Sequence, residues 1–154
     1  MLRISRLTDY ATVVLAALAE QPQQLRTATA LAGSTGIAAP TVSKLLKQLH
    51  RAGLLTSTRG LHGGYQLARP AAQITVVAIL DALEGPVAVT DCAGGHGQCG
   101  IERNCQVAPM WQRLNVAIRR ALSDVTLAEL AGLDSVQRRL PIGEYEIKFA
   151  ARHD

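Results

Sequence analysis

Apolar residues recur along the first fifty positions at helical spacing. Leu7, Tyr10, Ala11, Val14, Leu15 and Leu18 follow i, i+3, i+4, i+7, i+8 and i+11, which predicts an amphipathic helix over about residues 5–20, ended by Gln21-Pro22. A second helix is predicted from Thr27 through Ser34. Pro40 opens a third, with Val42, Leu45, Leu46 and Leu49 on its buried face and Gly53 at its end. The periodicity then changes. Leu54–Thr58 and Tyr65–Leu67 are short strand-like runs joined by the glycine-rich hairpin Arg59-Gly60-Leu61-His62-Gly63-Gly64. Helical spacing returns over Thr75–Leu83, up to Gly85-Pro86, and residues 87–106 show none. Pro109 opens a long helix with an apolar stripe of Val107, Trp111, Leu114, Ile118 and Ala121. A last helix is predicted over about 126–134, and the pattern fades from Ser135.

Helix, tight turn, helix and two-stranded hairpin is the order of a winged helix-turn-helix. Such a unit needs a small residue where its helices cross, and Ala32 supplies it. It needs a turn residue that accepts positive φ, and Gly36 follows four positions later. Leu31, Ile37, Val42 and Leu45 fall at its internal contacts. An ordinary helical hairpin would explain those apolar residues but not the opposite face of the third helix. There stand Thr41, Ser43, Lys44 and Lys47, short polar groups near the start with lysines behind them. A recognition helix meets bases and phosphates in that order. Arg59, Gly60 and His62 in the hairpin suit close backbone approach or a minor-groove arm.

Composition and charge agree with this reading. Of 154 residues 48% are hydrophobic but only 3% aromatic, so the core is built from Leu, Val, Ile and Ala, as helices prefer. Residues 1–70 hold eight Lys and Arg against Asp9 and Glu20, a balance of +6, whereas residues 71–154 hold eight basic against ten acidic side chains, a balance of −2. The basic half points to a polyanionic partner. Arg3 and Arg6 ahead of Tyr10–Ala19 imitate a signal peptide, but Asp9 heads that run and the run is amphipathic, so a cytoplasmic protein without a membrane partner is expected. No nucleophile stands near a base at a recognisable spacing, and no enzyme is expected.

All three cysteines fall within fourteen residues, as Cys92-x6-Cys99-x5-Cys105. An odd number in a short chain argues against a disulfide framework. The Cys-x2-Cys pair of a zinc knuckle is missing. Wide spacing among Gly94, Gly95, Gly97 and Gly100 suits a bulkier inorganic core, and Cys105 precedes a helix N-terminus that favours thiolate. Three readings remain open on spacing: an iron–sulfur cluster, a zinc site of unusual spacing, and redox-active thiols.

Leu7-Thr8-Asp9-Tyr10-Ala11, the wing Arg59-Gly60-x-x-Gly63-Gly64-Tyr65, Leu83-Glu84-Gly85-Pro86 and the three cysteines together resemble the IscR/NsrR family of iron–sulfur cluster-binding winged helix-turn-helix transcription regulators. The resemblance covers residues 1 to about 134. Pro40-Thr-Val-Ser-Lys, Trp111-Gln-Arg and Val125-Thr-Leu-Ala look closest to the branch that regulates the SUF cluster-assembly operon. It implies a mainly α fold with a small β-wing, a winged helix-turn-helix plus a long dimerisation helix opened by Pro109. It implies a homodimer on a pseudo-palindromic operator, contacted by the stretch Ala38–Lys47, including Ala38, Pro40, Thr41, Ser43, Lys44 and Lys47, and by Arg59. It also implies a 2Fe–2S or 4Fe–4S cluster on Cys92, Cys99 and Cys105. The first cysteine gap is one residue longer than usual, and Ala108 stands where the ISC branch keeps a histidine ligand. His96, Glu102 and Asp9 are candidates for the fourth ligand. Thr8-Asp9-Tyr10 is similar to the nitric-oxide-sensing branch, which implies Asp9 of the partner subunit.

The expected organisation is a DNA-binding domain over 1–85, a cluster loop over 86–107, a dimerisation helix and final helix over 108–134, and a tail over 135–154. The function expected is a repressor sensing cluster status, redox or nitric oxide stress. Its rivals are a zinc- or thiol-based DNA-binding regulator and a small iron–sulfur electron carrier.

Overall fold

A computed structural model describes residues 4–90 and 105–133. Four of its helices start on a hydroxyl cap, which satisfies a backbone N–H that the first turn leaves without a partner. The Ser5 Oγ accepts from Thr8 N at the head of α1 (Arg6–Ala19), and Thr27 does the same for α2 (Ala28–Thr35). Thr75 caps α4 (Val76–Glu84), and Thr126 forms a capping box with Glu129 on α6 (Leu127–Leu130). The other two, α3 (Ala39–Arg51) and α5 (Ala108–Ser123), carry a proline in the first turn and no side-chain cap.

One apolar cluster holds the first four helices and the wing together. Val14 and Leu15 of α1 meet Leu31, Leu45 and Leu49, all fully buried. Burying each such side chain contributes on the order of 1.5–3 kcal/mol. The wing is β1 (Leu55–Thr58) antiparallel to β2 (Gly64–Leu67), with Leu55 opposite Leu67 and Thr58 opposite Gly64. The chain before α2 adds a third segment on the other side of β2: Arg26 and Tyr65 exchange backbone N–H···O bonds of 2.9 Å each.

The chain folds back after α5. Leu127 N donates to Ile74 O at 2.7 Å and Val76 N to Val125 O at 2.9 Å, which lays α6 beside the start of α4. The last helix is shorter than the 126–134 expected. Gly132 takes φ +66°, its N–H bonds Glu129 O, and Leu133 N bonds Ala128 O, so the carbonyls of the last turn are satisfied and the helix stops.

The apolar stripe of α5 is not part of this core. Val107, Trp111, Leu114 and Ala121 are exposed and Ile118 half-buried, while Ala108 and Asn115 face inward. Among the described residues no helix is long and apolar enough to cross a membrane.

Candidate nucleic-acid interface

The turn between α2 and α3 is made by Gly36, at φ +70°, whose N–H closes α2 on Ala32 O at 3.0 Å. Ile37 then drops into the core beside Leu31, Val42 and Leu45, as the sequence template requires. This leaves one side of α3 free. Pro40, Lys44, Lys47 and Arg51 are all exposed, at i, i+4, i+7 and i+11. Arg51 extends the row beyond the residues singled out from sequence. Thr41 and Ser43 are half-buried on its flanks, and Ala38 is exposed at the uncapped N-terminus. The N–H groups of Thr41 and Val42 both bond Ala38 O, and Pro40 has none, so phosphate contacts on this side fall to the side chains.

Side chains join the wing to this helix. The His50 ring stands edge-on to Tyr65 with centroids 6.4 Å apart, and its Nε2 lies 3.2 Å from Ser57 Oγ. The glycines of the wing serve the hairpin itself before they serve any ligand. Gly60 takes φ +115°. A Cβ on Gly63 would sit 2.3 Å from Thr58 O, and one on Gly64 2.9 Å from both N and O of Arg26. Arg59, Leu61 and His62 are exposed at its tip.

Arg26, counted above with the basic face, does a different job. Its guanidinium donates to Ala17 O at 3.2 Å and to Ser34 Oγ at 2.9 Å, tying α1, α2 and the wing together. The remaining cations of this half form no ion pair among the described residues, and no Asp or Glu occurs in residues 21–80.

Two polar clamps hold the start of the cysteine-bearing segment, a third ties the end of α4 to the head of α1, and none of these pairings was visible from sequence. Asp81 accepts from both Arg119 terminal nitrogens, at 3.0 and 2.8 Å, and from Val87 N at 3.0 Å. The inward-facing Asn115 accepts from Val89 N at 3.3 Å. Glu84 accepts from Ser5 N at 3.3 Å and from the buried hydroxyl of Thr8. Cys105 is half-buried, two residues ahead of the uncapped Val107 that starts α5. Cys92, Cys99, His96 and Glu102 lie outside the described residues. Asp9 is exposed on α1, with no hydrogen-bond or ion-pair partner for its carboxylate among the described residues. With Ile4, Ser5 and Arg6 it lines a cavity of about 620 Å³. Among the described residues no three His, Cys, Asp or Glu side chains come together.

A free basic helix face beside a glycine-locked wing defines a winged helix-turn-helix DNA-binding protein. The chain belongs to the Rrf2 family, described as iron-dependent transcriptional regulators, whose pattern matches residues 4–132. It is 38% identical over 102 residues, 66% of its length, to a protein of Azotobacter vinelandii that carries the name HTH-type transcriptional regulator ORF2. It is 37% identical over 108 residues, 68% of its length, to the HTH-type transcriptional regulator IscR of Sodalis glossinidius. The matched parts span 62% and 65% of those two proteins, a little under two thirds. The fold superposes on the global cysteine regulator CymR of B. subtilis with a TM-score of 0.66 at 27% identity, covering 87% of this chain and 99% of that one. The family match places the chain among transcriptional regulators.

Proposed function

We propose that the protein is a cytoplasmic homodimeric repressor whose affinity for a pseudo-palindromic operator is set by an iron–sulfur cluster. Cys92, Cys99 and Cys105 would hold that cluster, with Asp9 of the partner subunit as fourth ligand. Its target would be cluster-assembly genes, as in the SUF branch it resembles. Operator contacts would come from Ala38, Pro40, Thr41, Ser43, Lys44 and Lys47 and from Arg59, Gly60 and His62 of the wing. The four-part division at residues 85, 107 and 134 belongs to this proposal.

The observation that carries the reading is the position of Cys105. It is half-buried and closely precedes a sixteen-residue helix, so its position is fixed and its thiol stands at the junction of the cysteine-bearing segment and α5. Thiolate is the form that binds iron. The Asp9 carboxylate is exposed and has no partner among the described residues, so it would be available as an oxygen donor, a weaker partner for iron than thiolate. A bound cluster would supply chemistry that oxidants or small reactive gases can alter. The exposed stripe of Trp111, Leu114 and Ala121 supports the dimer, because burial against a second copy is what such a face otherwise lacks.

The visible spectrum and metal content of anaerobically purified protein test this. Brown protein with iron and acid-labile sulfide is expected, bleached by Cys92→Ala, Cys99→Ala or Cys105→Ala with the dimer intact. Colourless protein with stoichiometric zinc would overturn it. The second reading, a thiol-based regulator without a cluster, is favoured by the likeness to a global cysteine regulator. It predicts no metal at all.

A further inference from the structure

Leu61 is 95% exposed, against 65% for Met110, the next most exposed large apolar side chain among the described residues. Met110 shares a helix face with Trp111 and Leu114, so a second copy could cover all three. Leu61 has no apolar neighbour beside it, only Gly60 and His62. Its exposure is built into the hairpin. Gly60 at φ +115° and the Gly63 N to Gly60 O bond of 2.9 Å close a four-residue turn with Leu61 and His62 at its corners. Below the turn, Gly63 lies against Thr58 O and Gly64 against the Arg26 backbone, and the wing base is fixed to α2 through Arg26. The tip is held away from the core that buries Leu55 and Leu67.

What surrounds the tip selects its partner. Arg59 and His62 flank Leu61, and the acid-free stretch of residues 21–80 includes the whole wing and α3. A polyanion is the partner such a surface attracts. In a winged helix-turn-helix, the helix takes the major groove and the wing reaches the adjacent minor groove. Apolar side chains delivered there unstack base steps and bend the duplex.

We propose that Leu61 is a minor-groove wedge, which bends the bound duplex and gives a preference for easily deformed steps at a position that no hydrogen bond reads. Arg59 and His62 hold the tip in the groove while Leu61 presses on the bases. The proposal rests on α3 and the wing forming the DNA-binding face.

The test uses the intact dimer and duplexes selected from random-sequence DNA by the wild-type protein. Affinity is read by fluorescence anisotropy and bending by energy transfer between end labels. Leu61→Ala, a change at an exposed tip, should keep the thermal transition. It should lower affinity for selected duplexes roughly tenfold and reduce the bend, with little change on random DNA. Leu61→Phe should keep the bend, and replacing a flexible TA step in the selected site by a stiff A-tract should weaken the wild type more than Leu61→Ala. Unchanged affinity and bend in Leu61→Ala would overturn the proposal. If Lys44→Ala still weakens binding in that experiment, the wedge alone fails. If Lys44→Ala is silent too, the DNA-binding face itself is misassigned. Leu61-dependent binding of anionic vesicles with unchanged DNA binding would instead assign the tip to a lipid surface, and would also overturn it.

Discussion

Asp81 on α4 and Arg119 on α5 form a two-pronged ion pair, and the carboxylate also holds Val87 at the start of the cysteine-bearing segment. One side chain thus connects the DNA-binding half, the exposed helix and the segment between them. Both partners are about one-third exposed, at 33% and 35%, so the pair itself is worth no more than about 1 kcal/mol. Hydrogen bonding from Arg119 holds the Asp81 carboxyl below its ordinary value. A depressed carboxyl pKa stabilises the folded state fully above the unfolded value, near pH 4, and that contribution is lost as pH falls through the folded value. Urea titrations of the Asp81→Ala, Arg119→Ala cycle should give a coupling of about 0.5–1 kcal/mol at pH 7 that shrinks as pH falls through the folded value. Asp81→Ala alone should cost more than Arg119→Ala, about 1–2 kcal/mol, because Val87 N also loses its partner. A coupling that does not fall with pH would refute the assignment.

Two acids near the head of α1 should behave in opposite ways. Glu84 reaches Ser5 N and the Thr8 hydroxyl from 79 and 76 residues away, and Thr8 is buried. Hydrogen bonds from Ser5 and Thr8 hold the Glu84 carboxyl below its ordinary value. Thr8→Val should destabilise cluster-free protein by about 1–2 kcal/mol in urea titration. Asp9→Ala, at an exposed site, should change it by no more than about 0.5 kcal/mol, yet shift the spectrum of cluster-loaded protein. A large stability loss with an unchanged spectrum would make Asp9 a dipole partner of α1 and not a ligand.

The row of cations on α3 and the arginine on the wing should separate by salt and by sequence. Lys44→Ala or Lys47→Ala should weaken binding to operator and random DNA alike, and lower the salt slope by about one unit per lost phosphate contact. Arg59→Ala should cost roughly 1–3 kcal/mol, mainly on operator DNA, if it grips a base edge. Gly64→Ala pushes a Cβ to 2.9 Å from the Arg26 backbone and should disable the wing while α3 stays folded. Anisotropy titrations at several salt concentrations check all four. Undiminished binding by both lysine variants would show that this face does not meet DNA.

The helix-turn-helix was legible because its signals are local. Leu31, Gly36 and Val42 lie within one short stretch, and each is read from spacing or from the conformation one residue must adopt. The wing strands were legible too, but the third segment paired to β2 was not. The pairing of Arg26 with Tyr65 joins residues 39 apart, and no periodicity reports on such a contact. Glu84 with Thr8 and Asp81 with Arg119 were hidden for the same reason. Asn115 did leave a trace, as the polar residue between Leu114 and Val116 in an otherwise apolar stretch of α5. The stripe on α5 was correctly seen as apolar, yet within one chain it faces outward. Hydrophobic spacing tells that a face seeks burial, not whether the same chain provides it. The cysteines were legible as a group by count alone, and their mutual geometry was not, since spacing along a glycine-rich loop fixes no distance through space.

The central claim is that cluster state sets DNA affinity. The most direct measurement is an anaerobic anisotropy titration of a selected operator duplex with brown wild-type protein, repeated on the same preparation after the cluster has been removed by chelation. Our account predicts dissociation constants that differ by roughly tenfold or more, the scale of a coupling of about 1.4 kcal/mol or greater. The difference should vanish in Cys105→Ala. Equal constants before and after removal would contradict it.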